Sequence, residues 1–309
     1  MIDMHYDLLS ILYYCYLRND FSYINDLQKY FNNNNVTGLI ANLYFMSEEE
    51  MQTEMPNTTI DVVKMFQIST ELFKKFFPNI DVVFSIEGCD YIKDVSELKK
   101  LKDLGLGSIL LVWNNKNKYG SGSKANGGLT KEGQNFIYEA IKLGLTIDLS
   151  HMNKETFMDT IAILKSAKKN ELNPKVIVSH SCVYDLFNHP RNITKSQIEN
   201  LQELGAIMGL VSYSYFLTDK KEDITILKNK YLEHIKYVVN ILGIDAIGVS
   251  TDDMEYDKAL FNKDTEEIIF PYINLKKELE TLLLNVYNEE EVKKILELNI
   301  KNKIFKEEI

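Results

Sequence analysis

The segment TKEGQNFIYEAIKLGLTIDLSH, residues 130–151, contains the repeating unit on which the fold depends. Thr130 is a candidate helix cap, and the apolar residues that follow recur at the spacing of one helical face, which predicts a helix over Thr130–Leu143. The next run, Thr146–His151, is short and apolar, which predicts a strand. A helix that leads directly into a buried strand is typical of an α/β fold.

The same alternation extends along nearly the whole chain. Further helices are predicted over Lys154–Ala167, Thr194–Leu204 and Lys228–Leu242. The eight predicted strands are Ile2–Leu8, Val36–Phe45, Val82–Gly88, Ser108–Asn114, Thr146–His151, Val176–Ser181, Ala206–Tyr213 and Ala246–Asp252. Eight such units in 309 residues favour a closed (β/α)8 TIM-type barrel over an open doubly wound sheet. No linker is visible, so residues 1–309 are expected to form a single domain.

Composition excludes several classes of partner. The formal net charge is −10, which argues against binding to nucleic acid, a polyanion. No apolar run is long enough to cross a bilayer, and the first residues lack the features of a signal peptide, so no membrane association is expected. The three cysteines, Cys15, Cys89 and Cys182, form no CxxC motif and favour a reducing compartment. A cytoplasmic location is therefore expected.

Three of the five histidines fall at or near the carboxyl ends of predicted strands: His5, His151 and His180. Asp7 lies two residues after His5, and Glu87 ends an apolar strand, where a buried carboxylate is costly unless it is paired or bound to metal. Each of these residues taken singly has a structural explanation, such as a hydrogen-bonded core histidine. In a barrel, however, all strand ends open onto the face where active sites lie.

Three imidazoles and two carboxylates are a suitable ligand set for zinc or a similar divalent ion. Five ligands are too many for one tetrahedral site with an open position, but a bridging carboxylate would let them hold two ions ~3.5–4 Å apart. Glu87 is the natural bridge, because its strand lies between the other ligand groups. Such a pair of ions can hold a hydroxide between them for hydrolysis.

Two further polar residues suggest roles in catalysis and substrate binding. Asp252, at the end of the eighth predicted strand, is a candidate to transfer a proton to a leaving amine, although it also resembles a helix cap. Arg191 is one of only two arginines, and a guanidinium binds a carboxylate in a bidentate fashion. It is therefore a candidate substrate anchor, the alternative being a surface salt bridge. His189 and His234 are interpreted as structural.

The segment NNKNKYGSGSKANGG, residues 114–128, is rich in glycine but lacks the GK[ST] ending of a phosphate-binding loop. It is predicted to be a flexible loop over the barrel mouth.

Several blocks of the sequence resemble the membrane (renal) dipeptidase family of zinc metallopeptidases. They are DMHYD at residues 3–7, Glu-Gly at residues 87–88, GGLTKEGQNFIYEAIKLGLTIDLSH at 127–151, VIVSHSCVYDLFNHPRNIT at 176–194 and HIKYVVNILGIDAIGVSTDD at 234–253, in the order found in the family.

The resemblance implies a dinuclear zinc centre and a dipeptidase activity. One ion would be held by His5 and Asp7 and the other by His151 and His180, with Glu87 bridging the two. The substrates implied are dipeptides, including those with a D-residue at the C-terminal position, cleaved through a metal-bridging hydroxide. Family members often form homodimers.

The resemblance also implies roles for further residues. Asp252 would be the acid/base, Arg191 would hold the terminal carboxylate of the substrate, and Tyr213 would fall near a substrate-lining tyrosine. Trp113 occupies the position at which the best-known members have a histidine that contacts the scissile carbonyl. The segment MEYDKALFNKD, residues 254–264, also departs from the family pattern.

Two alternatives to a dipeptidase stay open at this point. Trp113 and the altered segment favour a dinuclear hydrolase of another amide, a cyclic amide or a lactone. A metal-dependent protein that binds small peptides without cleaving them is a second alternative, against which the complete ligand set and Asp252 both argue.

Overall fold

Eight parallel strands form a closed barrel in the order of the sequence. The computed structural model describes residues 1–45, 59–252 and 275–305. The strands are β1 Ile2–Tyr6, β2 Gly38–Tyr44, β3 Asp81–Glu87, β4 Leu106–Leu110, β5 Thr146–Asp148, β6 Val176–Ser181, β7 Ile207–Val211 and β8 Ile247–Ser250. Each strand pairs in parallel with the next, and β8 closes the barrel through the pair Asp3 and Val249. The predicted TIM-type barrel is confirmed.

Helices pack around this barrel. They are α1 Leu8–Arg18, α2 Ser22–Asn33, α3 Val62–Phe76, α4 Val95–Asp103, α5 Lys131–Lys142, α6 Lys154–Lys169, α7 Lys195–Leu204, α8 Ile224–Leu242, α9 Leu275–Leu283 and α10 Glu289–Lys293, followed by π-helical turns at Lys294–Leu298 and Lys301–Phe305. The cap predicted at Thr130 is confirmed, because its side chain accepts a hydrogen bond from the Gly133 N–H at 3.0 Å. α8 begins earlier than predicted, because the Asp223 side chain caps it.

Two apolar clusters hold the barrel together. The larger one fills the space between the strands and the surrounding helices. The smaller one joins residues near the starts of several strands to the C-terminal segment, and consists of Ile2, Met4, Ile40, Ile177, Ile207 and Ile300. In the same segment Asn299 donates to the carbonyls of Ile244 and Ile247 at the start of β8. The amino-terminal end of the barrel is therefore packed, which leaves the carboxyl ends of the strands for polar residues.

Several strands end earlier than predicted. β4 stops at Leu110 and β5 at Asp148, so Trp113 and His151 lie in the loops that follow. His151 has φ 68°, a left-handed conformation that no strand residue adopts. Asp252, two residues after β8, has φ 49°. The periodicity that predicts a strand does not report where the backbone turns away from it.

The glycine-rich segment 114–128 is a tightly hydrogen-bonded loop, which differs from the predicted flexible one. The Tyr119 ring is buried, stacks on Phe136 at 4.2 Å, and donates its hydroxyl to the Ile92 carbonyl at 2.7 Å. Asn153, the cap of α6, donates to two carbonyls of the loop at 2.8 Å. Segment 254–264, which departs from the family pattern, lies outside the described residues.

Cys15, Cys89 and Cys182 are free and buried, so they form no disulfide. None of the helices in the described parts of the chain has the length and apolar character needed to cross a membrane.

Candidate metal centre and substrate site

Glu87, at the end of β3, lies between two groups of side chains. Its Oε2 is 3.1 Å from Nε2 of His5, while its Oε1 is 2.7 Å from Nε2 of His151 and 3.9 Å from Nε2 of His180. The Nε2 atoms of His151 and His180 are 2.9 Å apart. All four side chains are buried. The two oxygens of one carboxylate thus face different imidazoles, which is the arrangement a bridging ligand requires.

Two more carboxylates approach His5 on its other side. Nε2 of His5 is 3.7 Å from Oδ1 of Asp7 and 3.6 Å from Oδ1 of Asp252. Asp7 stands where β1 passes into α1, and the backbone N–H of Asp252 donates to the His5 carbonyl at 3.3 Å. The structure therefore brings together the five predicted ligands and the predicted acid/base.

The donor set fits divalent metal ions. Two sets of described residues, His5–Glu87–His180 and His5–Asp7–Asp252, each present three ligand atoms that lie within 4.8 Å of one another. Nε2 of His5 is buried and forms no hydrogen bond of good geometry with any described residue. Imidazole and carboxylate donors are those that zinc prefers.

His5 is charged in the protein, in contrast to His151 and His180 on the other side of Glu87. Burial disfavours the charged form of His5, but Glu87, Asp252 and Asp7 outweigh it and raise the pKa of His5 to about 10. Burial likewise disfavours charge on Glu87, yet the nearby His5 and His151 lower its pKa well below the usual range. In the protein without bound metal, the positive charge of His5 thus offsets the negative charge of Glu87.

Burial is the main cause of the pKa shifts of the remaining site residues. Burial, and next the positive charge of Arg191, lower the pKa of His151 to about 3, and burial lowers the pKa of His180 well below its usual value. Both imidazoles are therefore neutral near pH 7, the form that binds metal. Burial raises the pKa of Asp252, and the charge of Glu87 acts in the same direction.

Each of the three imidazoles also has an uncharged partner at Nδ1, the nitrogen that faces away from Glu87. These contacts are His5 to Asn42 Nδ2 at 3.0 Å, His151 to Asn114 Oδ1 at 3.0 Å and His180 to Ser179 Oγ at 2.7 Å. Metal-binding histidines commonly donate the N–H of the second nitrogen to such a partner. The Asn114 and Ser179 oxygens can accept this N–H, whereas the Asn42 amide nitrogen is itself a donor to the His5 ring. None of these three partners was predicted from the sequence. The signal available for Asn42 was an amide inside the apolar strand GLIANLY.

Beneath His151 and His180, a buried polar network joins the ends of β5 and β6. Oδ1 of Asp148 accepts hydrogen bonds from the backbone N–H groups of Ser150 at 3.0 Å and Ser179 at 3.1 Å. Oγ of Ser150 accepts from the N–H of His180 at 3.2 Å. This network holds the two histidine backbones at a defined separation. Asp148 was also missed, although a carboxylate inside a strand is the signal that pointed to Glu87.

Arg191 lies beside the metal ligands, in the loop after β6. It is 7% exposed, donates from Nη2 to the His180 carbonyl at 3.3 Å, and places its guanidinium over the Phe216 ring at 5.4 Å. No carboxylate of the described residues lies within 4.0 Å of its guanidinium, so the predicted alternative of a surface salt bridge is not found there. Burial lowers the pKa of Arg191 to about 10, which leaves it charged at pH 7.

Aromatic side chains lie on both sides of this group. Trp113 is half-buried, with its ring centroid 6.0 Å from that of His151 and 5.2 Å from that of Tyr44. Tyr213 is also half-buried and packs edge-on against Phe216 at 5.6 Å, the ring that Arg191 overlies. The two predicted substrate-lining residues therefore stand at opposite parts of the site, near His151 and near Arg191.

The two remaining histidines differ in setting. Nδ1 of His234 accepts the N–H of Val183 at 2.9 Å and is buried, in agreement with a structural role. His189 stacks on Phe216 at 4.7 Å, and its Nδ1 accepts the N–H of Arg191 at 3.3 Å. It supports the loop that carries Arg191.

The sequence model of the membrane dipeptidase family, peptidase family M19, matches residues 30–308. The chain belongs to this family. The match begins after His5 and Asp7, whose positions beside each other and beside Glu87 are given by the distances above.

Among curated proteins, the chain is 27% identical over 173 residues to dipeptidase tcpJ of Claviceps purpurea, covering 56% of this chain and 37% of the relative. It is 26% identical over 180 residues to an uncharacterized dipeptidase, C965.12, of Schizosaccharomyces pombe, covering 56% and 41%. It is 29% identical over 167 residues to an uncharacterized protein of the pqqA 5′ region of Klebsiella pneumoniae, covering 50% and 58%. The aligned parts thus span about 40 to 60% of these relatives.

Solved structures match the membrane dipeptidase fold over almost the full chain. A metallopeptidase from Rhodobacter sphaeroides, liganded with a phosphinate mimic of the dipeptide L-Ala-D-Ala, has a TM-score of 0.72 at 17% identity and covers 98% of this chain and 97% of its own. An amidohydrolase from Pseudomonas aeruginosa has a TM-score of 0.66 at 21% identity and covers 91% of each chain. At these identities the likeness concerns the fold.

Proposed function

We propose that this chain is a zinc-dependent dipeptidase with a dinuclear centre. The observation that carries the proposal is the position of Glu87, whose two carboxylate oxygens face His5 on one side and His151 with His180 on the other. In this assignment His5 and Asp7 hold one ion, His151 and His180 hold the second, and Glu87 bridges them. Two zinc ions held there would supply the Lewis-acid chemistry of the hydrolysis, by activating a water molecule and polarising the scissile carbonyl.

The chain's own residues bind and orient the substrate. Arg191 is charged, buried and free of any carboxylate partner among the described residues, so it is suited to hold the terminal carboxylate of a dipeptide. Phe216 and Tyr213 support this end of the site. Trp113 lines the end near His151, where its ring N–H is the one donor available to a carbonyl oxygen. The dipeptides include those with a D-residue at the C-terminal position.

Asp252 is proposed to move the proton to the leaving amine. Its side chain is 21% exposed, and burial raises its pKa, both of which suit a group that exchanges protons with a bound substrate. Its Oδ1 lies as near to His5 as that of Asp7 does, so the alternative is a role as a metal ligand.

The first experiment measures zinc per chain in the purified, zinc-supplemented protein, followed by release of amino acids from a panel of L,L and L,D dipeptides. Two zinc ions per chain with cleavage support the proposal. Two ions without cleavage of any dipeptide would favour the hydrolysis of another amide, a cyclic amide or a lactone. The bulk of Trp113 is the sequence feature that favours this alternative. A chain that takes up no zinc would contradict the metal centre.

The second experiment separates the two roles of Asp252. Asp252→Asn should lower kcat for a cleaved dipeptide by roughly 10²–10⁴-fold, the usual contribution of a general acid/base, while zinc content stays at the wild-type value. Equal loss of zinc and of turnover would assign Asp252 to the ligands instead. Asp7→Asn is the matched variant, and it is expected to lose zinc.

The other expectations stay predictions. The cysteines, free and buried, are compatible with a cytoplasmic location, and residues 1–309 are still expected to form one domain. A homodimer is predicted from the family resemblance.

A further inference from the structure

The glycine-rich loop, residues 114–128, touches the metal centre through Asn114. Oδ1 of Asn114 lies 3.0 Å from Nδ1 of His151 and also accepts the Ser123 hydroxyl at 2.9 Å. A single amide oxygen therefore connects a proposed metal ligand to the middle of the loop.

The loop backbone closes directly on the residues next to His151 and on Asn114 itself. Gly122 approaches so near that a Cβ atom there would stand 1.8 Å from the Trp113 carbonyl oxygen. The N–H of Lys124 donates to the Asn114 carbonyl at 2.8 Å, and Gly122 forms an antiparallel bridge with Met152. Only glycine permits this approach, so the loop determines where the Asn114 side chain stands.

The contact selects one form of the imidazole. Nε2 of His151 faces Glu87 Oε1 at 2.7 Å and is the nitrogen that would bind an ion there. The single proton of the neutral ring must then stand on Nδ1, where the amide oxygen of Asn114 accepts it. His151 also has a left-handed backbone conformation, which persists only where neighbouring contacts impose it.

We propose that Asn114 is a positioning residue that sets the tautomer and orientation of His151, and that the glycine-rich loop keeps Asn114 in place through Ser123. The proposal rests on the dinuclear centre proposed above. The loop is then a support of the metal centre, a role its composition alone does not predict.

The test measures zinc affinity by chelator competition for wild type, Asn114→Ala and Asn114→Asp. Asn114→Ala should weaken one of the two zinc ions by roughly 10–100-fold, the usual effect of removing such a partner. Asn114→Asp keeps an acceptor oxygen for Nδ1 and for Ser123, and should retain most of the affinity. Histidine ¹⁵N NMR of the zinc-free protein gives a readout independent of metal. In Asn114→Ala the share of the Nδ1–H form of His151 should fall and that of the Nε2–H form, which donates to Glu87 Oε1 at 2.7 Å, should rise.

Ser123→Ala and Ser121→Ala test the part played by the loop. Both hydroxyls belong to the loop, but that of Ser121 donates to the Asn126 carbonyl at 2.9 Å and does not contact Asn114. Ser123→Ala should weaken zinc by about fivefold, the value of one hydrogen bond, while Ser121→Ala should not. Equal effects of the two serine variants would overturn the role of Ser123.

The inference and the metal centre fail in different ways. Wild type without zinc would overturn both. Two zinc ions in wild type, together with wild-type affinity and tautomer in Asn114→Ala, would overturn the inference alone. If Asn114→Ala does not fold, Asn114→Leu replaces it in both measurements, because it keeps the volume of the side chain without an acceptor oxygen.

Discussion

At the scale of single residues, Arg191 combines properties that are costly to bring together. A guanidinium that is 7% exposed loses most of its hydration, and the described residues within 4.0 Å of it offer a carbonyl but no carboxylate in return. A buried charge without a partner is costly to the fold, and a bound ligand of opposite charge would supply the partner. A substrate carboxylate would do so.

Arg191→Met should therefore raise KM for a dipeptide by roughly 10–100-fold, since a charge-assisted pair contributes about 1.5–3 kcal/mol. The same dipeptide with its C-terminus amidated should be a poor substrate of wild type and should lose little further in the variant. Steady-state kinetics on the matched pair of substrates measure this. A similar penalty for both substrates would place the effect of Arg191 elsewhere than at the carboxylate.

At the scale of elements, buried polar groups fix how neighbouring strands and helices meet. Asp148 joins the ends of β5 and β6 by accepting two backbone N–H groups on one oxygen, and burial raises its pKa. His234 joins α8 to the loop after β6 by accepting the N–H of Val183. In both cases one acceptor satisfies donors from another element.

Asp148→Ala should lower the free energy of unfolding by about 2–5 kcal/mol, because it leaves two buried N–H donors without an acceptor. Asp148→Asn keeps an oxygen in the same place and should lose much less. Urea unfolding of the zinc-free proteins measures the difference. If the two variants lose the same amount, the negative charge and not the acceptor is what the site needs.

His234 predicts a pH dependence of stability. Burial lowers its pKa from 6.5 to about 4, so the folded protein binds the proton less readily than the unfolded chain does. Its contribution is complete above pH 6.5 and decreases as the pH falls from 6.5 to 4, by up to about 3 kcal/mol.

Urea unfolding at pH 4.5, 5.5 and 7 compares wild type with His234→Gln, whose amide oxygen can accept the same N–H. The stability of the variant should fall less steeply with decreasing pH. Parallel curves for the two proteins would show that His234 is not the titrating group.

At the scale of the whole molecule, the proposed centre depends on closure of the barrel. The proposed ligands and the proposed acid/base are spread along the chain from His5 to Asp252, and His5 meets Asp252 because β8 pairs with β1. Asp3 reinforces this closure, since its carboxylate accepts the backbone N–H of Thr251 at 3.0 Å and the Thr251 hydroxyl at 2.6 Å. An ion bound at the centre would tie these distant parts of the chain together.

Zinc should therefore stabilise the fold. At a free concentration 100 times Kd, a ligand specific to the folded state adds about 2.7 kcal/mol per site, so two sites together correspond to a rise in Tm of roughly 8 °C for a chain of 309 residues. Thermal unfolding after chelation and after return of zinc measures the shift. Glu87→Gln, which replaces the proposed bridge by a neutral amide, should lose most of it. An identical Tm with and without zinc in wild type would contradict the centre.

The sequence by itself determined the eight-strand barrel and the residue types at the strand ends. Periodicity is a local property, so the strands that carry His5, Glu87 and His180 could be predicted from neighbouring residues. Glu87 could be predicted as a ligand because a carboxylate at the end of an apolar strand is costly to bury without a partner.

Only the tertiary structure decided how these groups meet. The left-handed backbone at His151, the contact of Asn114 with its ring and the acceptor role of Asp148 each depend on which loop lies against which strand end. These are contacts between residues up to 37 positions apart, formed once the strands are side by side. Sequence spacing predicts which residues reach the carboxyl face of the barrel, whereas side-chain packing at that face decides what each of them contacts.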